Sequence, residues 1–395
     1  MSNRKKSREV SVYIIDKHVL MRQILVSMLK QLTGIQVVGS AHSLTPENVS
    51  LTIDQLKPDV ILLGIDKMNS EEMDLFRFLR TEHPRLPVVL MTVLNREGAQ
   101  IAISGLKLGA VDYITKPDCR HGVILAGRHF KKRVTPILKG ISELNVNGLH
   151  QNLMLHEDST GESVVTSGSY VHSPENIDII VIGGCMGGVQ SLFRIISKLP
   201  EKFPIPVVIV QHMPKIYTSE LATQLDLLSP LHVREAKDNS PLLPGQIYVA
   251  PGGWHVVMKN DGSRKKLFLH RGPREHKSRP SVDVLLRSAV QVYGDRVLSL
   301  FLSGGGNDGI YGAELVKKAG GEVILESRDS ALIWQTPEKI AMLYSDIKSY
   351  RAEEMIPEII KIIHSPKTAD VSRFEFKRVN NNNIYLENGF IGNSM

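Results

Sequence analysis

The sequence predicts two α/β domains in tandem. The first is a doubly wound parallel sheet of flavodoxin-like form over residues 8–130, and the second an α/β domain with a mainly parallel sheet over 177–366. Three observations predict this. Short apolar runs alternate with stretches of helical spacing from Val10 onward. The same alternation starts afresh at Ile179, after a polar, Ser/Gly/Glu-rich stretch from Asn145 to Asn176 with little periodicity. And 395 residues is long for one domain. Residues 131–176 read as a linker and 367–395 as a tail whose Asn run points to disorder.

In the first domain, Val10–Ile15, Gln36–Gly39, Val60–Leu63, Val88–Thr92 and Val111–Ile114 read as strands. Helical spacing covers Met21–Leu32, Glu71–Arg80, Gly98–Leu108 and Gly122–Leu138. Ligands of such sheets sit beyond the carboxyl ends of the strands. Those ends are Asp16 and Lys17, Gly64 and Asp66, Thr92, and Thr115-Lys116-Pro117. The cluster Arg128, Lys131, Lys132 and Arg133 reads as a solvated helix face.

The second domain opens on Ile179–Gln190, IIVIGGCMGGVQ. Four apolar residues form a strand, glycines form a tight turn, and Val189, Leu192, Ile195, Ile196 and Leu199 have helical spacing up to Pro200. This places Cys185 by the free N–H groups of a helix start, where a thiol ionises more readily. A dinucleotide-binding turn is one rival reading. It requires an acid ending the next strand, but Pro206–Val210 ends in Gln211 and His212. The other is that the glycines permit close packing and Cys185 is a small buried filler. Val297–Leu302 is a further strand, followed by SGGGNDG, which carries Asp308. Cys185, His212 and Asp308 thus end three strands and match a nucleophile, a base and an orienting acid; Asn307-Asp308-Gly309 is also ordinary turn chemistry. Leu243–Met258 reads as two short strands about a Pro-Gly turn. Ser263–Arg279, with Arg271, Arg274, Lys277 and Arg279, reads as a basic loop.

Composition narrows the function. The hydrophobic fraction of 42% suits two ordinary cores, and no apolar run has the length of a membrane span, so membrane insertion is not expected. The N-terminus leads into a strand rather than an apolar signal segment. Two cysteines, Cys119 and Cys185, give neither a disulfide framework nor metal-ligand spacing, which fits a reducing cytoplasm. A net charge of +7 suits an acidic partner but is too diffuse to demand nucleic acid.

IIDKHVLMRQIL, KPDVILLGIDKM, PVVLMTVLN and LGAVDYITKP, in order, resemble the receiver domain of two-component response regulators. That resemblance implies a metal-binding acid at Asp16, a switch hydroxyl at Thr92 and a switch lysine at Lys116. Two positions depart from it. Lys17 stands where a second metal-binding acid belongs, and Gly64 where the phosphoacceptor aspartate belongs. A glycine has no nucleophile and a lysine repels a divalent cation, so we expect a pseudo-receiver without aspartyl phosphorylation and without metal. Asp66, two residues on, is the alternative acceptor; its other reading is a loop or helix-cap acid.

VIGGCMGG, VQHMPKIYTSELATQL, LPGQIYVAPGGWH, RPSVDVLL and FLSGGGNDG, over about residues 177–364, resemble the chemotaxis protein-glutamate methylesterase (CheB) family. The resemblance implies hydrolysis of glutamate methyl esters, and deamidation of glutamines, on cytoplasmic chemoreceptor helices. It makes methyl-accepting chemoreceptors the partners, with a chemotaxis histidine kinase as a further one, and calls for no cofactor. It implies His212 as general base, Asp308 as orienting acid, and N–H groups near Gly305 and Gly306 as oxyanion donors. It also implies Ser-Thr where this chain has Cys185-Met186. A thiolate is the stronger nucleophile, but misplacement of about 1 Å can cost roughly 100-fold. Two readings follow: a cysteine esterase, or a degenerate paralogue that binds receptors or partners without turnover.

Overall fold

The computed structural model describes residues 9–43, 45–144, 176–262 and 264–364. Most of the polar linker stretch and all of the tail lie outside the described residues.

The first domain is built from β1 (Val10–Ile15), α1 (Val19–Leu29), β2 (Ile35–Ala41), α2 (Pro46–Leu56), β3 (Val60–Gly64), α3 (Glu71–Glu82), β4 (Val88–Thr92), α4 (Arg96–Lys107), β5 (Asp112–Thr115) and α5 (Val123–Glu143). The five strands are parallel in the order β2-β1-β3-β4-β5. Each central strand is a run of buried aliphatics, as covering both faces with helices requires. The helices begin where side chains cap free N–H groups: Ser70 accepts from Met73 N–H, and Asn95 from Gly98 N–H at 2.7 Å. The boundary expected at residue 130 falls inside α5. This 21-residue helix continues to Glu143, and its Gly140 lies against the backbone of Leu332 in the second domain.

The second domain comprises β6 (Ile179–Gly184), α6 (Gly188–Ile196), β7 (Val207–Gln211), α7 (Lys215–Leu228), β8 (His232–Glu235), β9 (Ser240–Pro241), β10 (Gln246–Val249), β11 (His255–Asn260), β12 (Lys265–His270), α8 (Val282–Tyr293), β13 (Val297–Phe301), α9 (Ile310–Lys318), β14 (Glu322–Glu326), α10 (Gln335–Ala341), β15 (Lys348–Tyr350) and α11 (Met355–His364). Seven strands form a parallel sheet in the order β15-β14-β13-β6-β7-β10-β8, and β11-β12-β9 form a small antiparallel sheet. The stretch Ser263–Arg279, expected as loop, therefore contains a strand. Lys265–His270 pairs with β11, Leu267 is fully buried, and only residues beyond His270 form the basic loop. The chain runs from β6 outward to β10 and then returns to β13 on the other side of β6, so the strand order reverses beside β6. Ligands of open α/β sheets gather at such a crevice.

The two domains share one continuous core. Tyr113 of β5 stacks on Tyr217 of α7 with ring centres 4.7 Å apart. Gln190 of α6 donates to the carbonyls of Leu106 and Ala110. None of the helices among the described residues is long and apolar enough to cross a membrane.

Candidate active site

β13, β6 and β7 are neighbours in the sheet, with Leu300 opposite Ile182 and Ile182 opposite Ile209. Their carboxyl ends therefore deliver Asp308, Cys185 and His212 to one edge, as the three strand ends imply. After β6 the chain turns tightly into α6. The turn needs glycine at position 187, where φ is +78° and a Cβ would press on Leu332 and Ser303 at 2.6 Å. Gly304 lies directly against the nucleophile turn, since a Cβ there would sit 2.8 Å from Cys185 Cβ.

His212 Nε2 is 2.7 Å from Asp308 Oδ2, which leaves Nδ1 as the other ring nitrogen, and Cys185 is the next group that acts on the imidazole. Asp308 is held by a full set of donors. Its Oδ1 accepts from Ser281 Oγ at 2.7 Å and Asp283 N–H at 3.1 Å, and its Oδ2 accepts from Val282 N–H at 2.9 Å as well as from His212. Four donors fill the acceptor capacity of one carboxylate. Asp308, Asp283 and His276 do bring ligand atoms within 4.8 Å of one another, but Asp308 has no lone-pair direction left for an ion.

The electrostatics favour a separated charge pair. Burial pushes the Cys185 thiol up, but the hydrogen bond and charge of His212, the charge of Arg133 and the N–H of Met186 outweigh it and hold the thiol below its ordinary value. Burial pushes His212 down, but its bonds to Asp308 and Cys185 and their negative charges carry it well above the ordinary imidazole range. Asp308 is likewise penalised by burial, yet held below the usual carboxylate range by His212, Ser281 and the N–H of Val282. Both shifts favour transfer of the thiol proton to the imidazole.

Gly305 and Gly306 follow Gly304 in the loop after β13, and their N–H groups donate to no described acceptor. Gly304 N–H is taken by Ile333 O. A buried carboxylate anchors this loop: Glu326 accepts from Ser303 N–H and from the hydroxyls of Ser191 and Ser330. Ser303 Oγ in turn donates to Met186 O at 2.7 Å, and Gln211 Nε2 donates to Cys185 O. Glu326, Ser303 and Gln211 thus tie the nucleophile turn to the glycine loop, and sequence reading missed all three. Their only signal was position, at or just beyond a strand end.

The first domain closes over this edge. Asp112 Oδ2 accepts from Gly187 N–H at 3.1 Å, and Thr92 Oγ1 lies 3.2 Å from the Tyr217 hydroxyl. Arg133, read from sequence as part of a solvated helix face, instead turns inward. Its guanidinium carbon is 5.8 Å from the Tyr113 ring centre, and its charge acts on Asp112, Tyr113, Cys185 and Tyr217. The neighbouring Val134 and Ile137 pack in one cluster with Leu332, Ile333 and Met186.

In the receiver-like pocket, Asp16, Asp66 and Lys116 converge while Thr92 turns away. Lys116 Nζ bridges Asp16 Oδ2 and Asp66 Oδ1, each at 2.7 Å. Asp66 Oδ2 takes His18 Nε2 at 2.8 Å and Lys17 Nζ at 3.4 Å. Asp66 is thus an ion-paired acid in the loop between β3 and α3, and the cap of α3 is Ser70 instead. Burial raises its carboxyl, but Lys116, His18 and Lys17 together hold it below the usual range. Gly64 leaves a space that the Asp16 carboxylate fills.

A family model for CheB methylesterase matches residues 180–359, and one for the response regulator receiver domain matches residues 12–124. A protein-glutamate methylesterase/protein-glutamine glutaminase of Thermotoga maritima is 33% identical over 357 residues, covering 89% of this chain and 99% of its own. The corresponding protein of Archaeoglobus fulgidus is 33% identical, covering 89% of this chain and 97% of its own. That of Trichodesmium erythraeum is 30% identical, covering 84% and 92%. The order of the two matched segments is that of the two domains in the fold, and the chain belongs to the CheB methylesterase family, with a response-regulator receiver domain ahead of the esterase domain.

Proposed function

We propose that this chain is a cytoplasmic protein-glutamate methylesterase acting on methyl-accepting chemoreceptors, and a glutaminase at the same site, with Cys185 as nucleophile. The observation that carries this is the His212–Asp308 contact of 2.7 Å, with the remaining imidazole nitrogen left to the Cys185 thiol. A chain that had abandoned catalysis would have no use for a fully hydrogen-bonded base and acid behind a nucleophile.

His212 takes the thiol proton, and Cys185 Sγ attacks the ester carbonyl. The oxyanion is received by N–H groups of Gly305, Gly306 and Met186. On collapse the C–O bond breaks, and the imidazolium gives its proton to the departing methoxide, so methanol leaves a thioester on Cys185. Water, deprotonated by His212, attacks the thioester carbonyl; the C–S bond breaks and the glutamate carboxylate is released. With a glutamine substrate, ammonia leaves in place of methanol. Asp308 fixes the ring and stabilises its cation throughout. In the first domain, Asp16, Thr92 and Lys116 serve as structural remnants of a phosphorylation pocket whose acceptor position is Gly64.

One set of observations favours a second reading, a receptor- or partner-binding module without turnover. The first domain closes on the site through Asp112, and the pocket that would release it lacks an acceptor. Methanol release from a methyl-esterified chemoreceptor fragment separates the two. Wild-type turnover that disappears in Cys185→Ala and His212→Ala supports the esterase. No turnover by wild type, with turnover gained in Cys185→Ser, assigns the chain to the binding class.

A further inference from the structure

The loop after β12 leaves three cations without an anionic partner among the described residues. Arg271, Arg274 and Lys277 are exposed, and among the described residues their side chains form no ion pair and no hydrogen bond. The other charges of the loop are spent on holding it. Glu275 pairs in bidentate fashion with Arg287, and His276 Nε2 lies 3.0 Å from Asp283. Arg279 turns inward to donate to the carbonyls of Arg271 at 3.0 Å and Gly272 at 2.8 Å, and His255 Nε2 meets Pro273 O at 2.8 Å. Arg271 is further oriented by the Trp254 ring, whose centre is 4.2 Å from the guanidinium carbon. Stacking fixes the plane of an arginine and leaves its N–H edges free for a carboxylate.

This wall stands at the mouth of the site. Ala250 N–H donates to Ile209 O at 2.8 Å, so the segment leading to Trp254 leaves the sheet beside the strand that ends at His212. Gly253 N–H donates to Arg279 O at 2.9 Å, which ties that segment to the basic loop. Ser281, two residues beyond Arg279, donates to Asp308. The loop therefore runs into the acid of the triad, and the segment tied to it leaves the sheet beside the strand that precedes the base.

We infer that Trp254, Arg271, Arg274 and Lys277 form a carboxylate clamp that docks a glutamate-rich helical protein segment beside Cys185, selecting esters flanked by free carboxylates. For the ester the inference rests on the methylesterase reading; for the docking it rests on the wall alone. Carboxylates three and four residues apart line one helix face, a row that a fixed guanidinium and two mobile cations can engage together. Hydrolysis of one ester adds a carboxylate to such a segment, so the clamp favours segments already partly de-esterified.

The test uses the full chain and two synthetic helical peptides. Each carries one glutamyl methyl ester, flanked by glutamates in one and by serines in the other. At low salt, wild type is expected to prefer the acidic peptide in kcat/KM by about tenfold, through KM, since three exposed ion pairs sum to roughly that factor. The triple variant Arg271→Ala/Arg274→Gln/Lys277→Gln is expected to lose that ratio. The same substitutions in a Cys185→Ala background are expected to weaken binding of the labelled acidic peptide by a similar factor. If neither peptide is hydrolysed while this binding difference persists, the methylesterase reading fails and the clamp stands. An unchanged ratio and unchanged binding overturn the clamp, as does equal affinity for a single-stranded oligonucleotide of the same charge.

Discussion

Asp112 of the receiver domain accepts a hydrogen bond from the N–H of Gly187, two residues beyond Cys185, across 3.1 Å. That N–H belongs to the start of α6, where backbone donors favour negative charge. Burial pushes the Asp112 carboxyl up, against the charge of Arg133 and the N–H groups of Tyr113 and Gly187. The receiver domain thus places its own carboxyl group against the turn that carries the nucleophile. Asp112→Asn keeps the shape and removes the charge. A hydrogen bond to a charged group contributes about 1.5–3 kcal/mol, so the closed arrangement weakens by roughly tenfold or more. Methanol release and the rate of Cys185 alkylation are both expected to rise, and unchanged rates would count against the contact as a restraint.

The pH profile distinguishes a thiolate–imidazolium pair from a neutral one. Cys185 is held below its ordinary value and His212 above its own. The active pair is therefore present once pH exceeds the lowered thiol pKa, and it is lost as pH rises through the raised imidazole pKa. For wild type, kcat/KM is expected to form a broad plateau with an alkaline fall. In Cys185→Ser the hydroxyl stays protonated, the raise that the Cys185 charge gives His212 is lost, and the base must be neutral imidazole, so activity rises with pH and shows no alkaline fall. A wild-type profile that only rises with pH contradicts the pair.

Arg133 is expected to act on the nucleophile from the connector helix. The charged and titratable groups that act on Cys185 are His212 from the esterase domain, and Tyr113 and Arg133 from the receiver and α5. Removing the guanidinium leaves Asp112 as the uncompensated charge. Arg133→Met should shift the pH midpoint of iodoacetamide reaction at Cys185 upward, and Arg133→Lys should restore most of the shift. An unchanged midpoint in Arg133→Met removes the residue from the site.

Gly64 cannot be repaired by one substitution. A side chain there would collide with the Asp16 carboxylate, itself paired with Lys116 at 2.7 Å. Gly64→Asp must displace that pair and is expected to cost about 1–3 kcal/mol, read as a lower melting temperature. Acetyl phosphate with Mg²⁺ is expected to leave the wild-type rate unchanged. A stimulation that disappears in Asp66→Ala would make Asp66 an acceptor after all.

The parts of this molecule legible in the sequence are those governed by local pattern. Runs such as Ile179–Ile182 and Val297–Phe301 mark buried parallel strands, and in such sheets chemistry gathers at the carboxyl ends; Cys185, His212 and Asp308 follow from that rule. Two elements were hidden by their own composition. In β12 the flanking Lys265, Lys266 and His270 mask the alternation of Leu267 and Leu269. In α2 only Val49 is buried, so there is no apolar stripe to read, although Thr45-Pro46 is a helix-start signal. Arg133, Asp112 and Tyr217 were not legible as site residues because each acts across the domain interface. Nothing within a few positions of Arg133 shows that one cation of a basic run faces a thiol rather than water.

Cys185 is the residue expected to carry the acyl group. The most direct measurement is acid quenching of the full chain during turnover of a glutamyl methyl ester peptide, followed by intact-mass and peptide mapping. A hydroxylamine-labile adduct of the peptide acyl mass is expected on Cys185, absent in Cys185→Ala and in His212→Ala. Methanol release with no adduct at Cys185, or with the adduct on another residue, would contradict it.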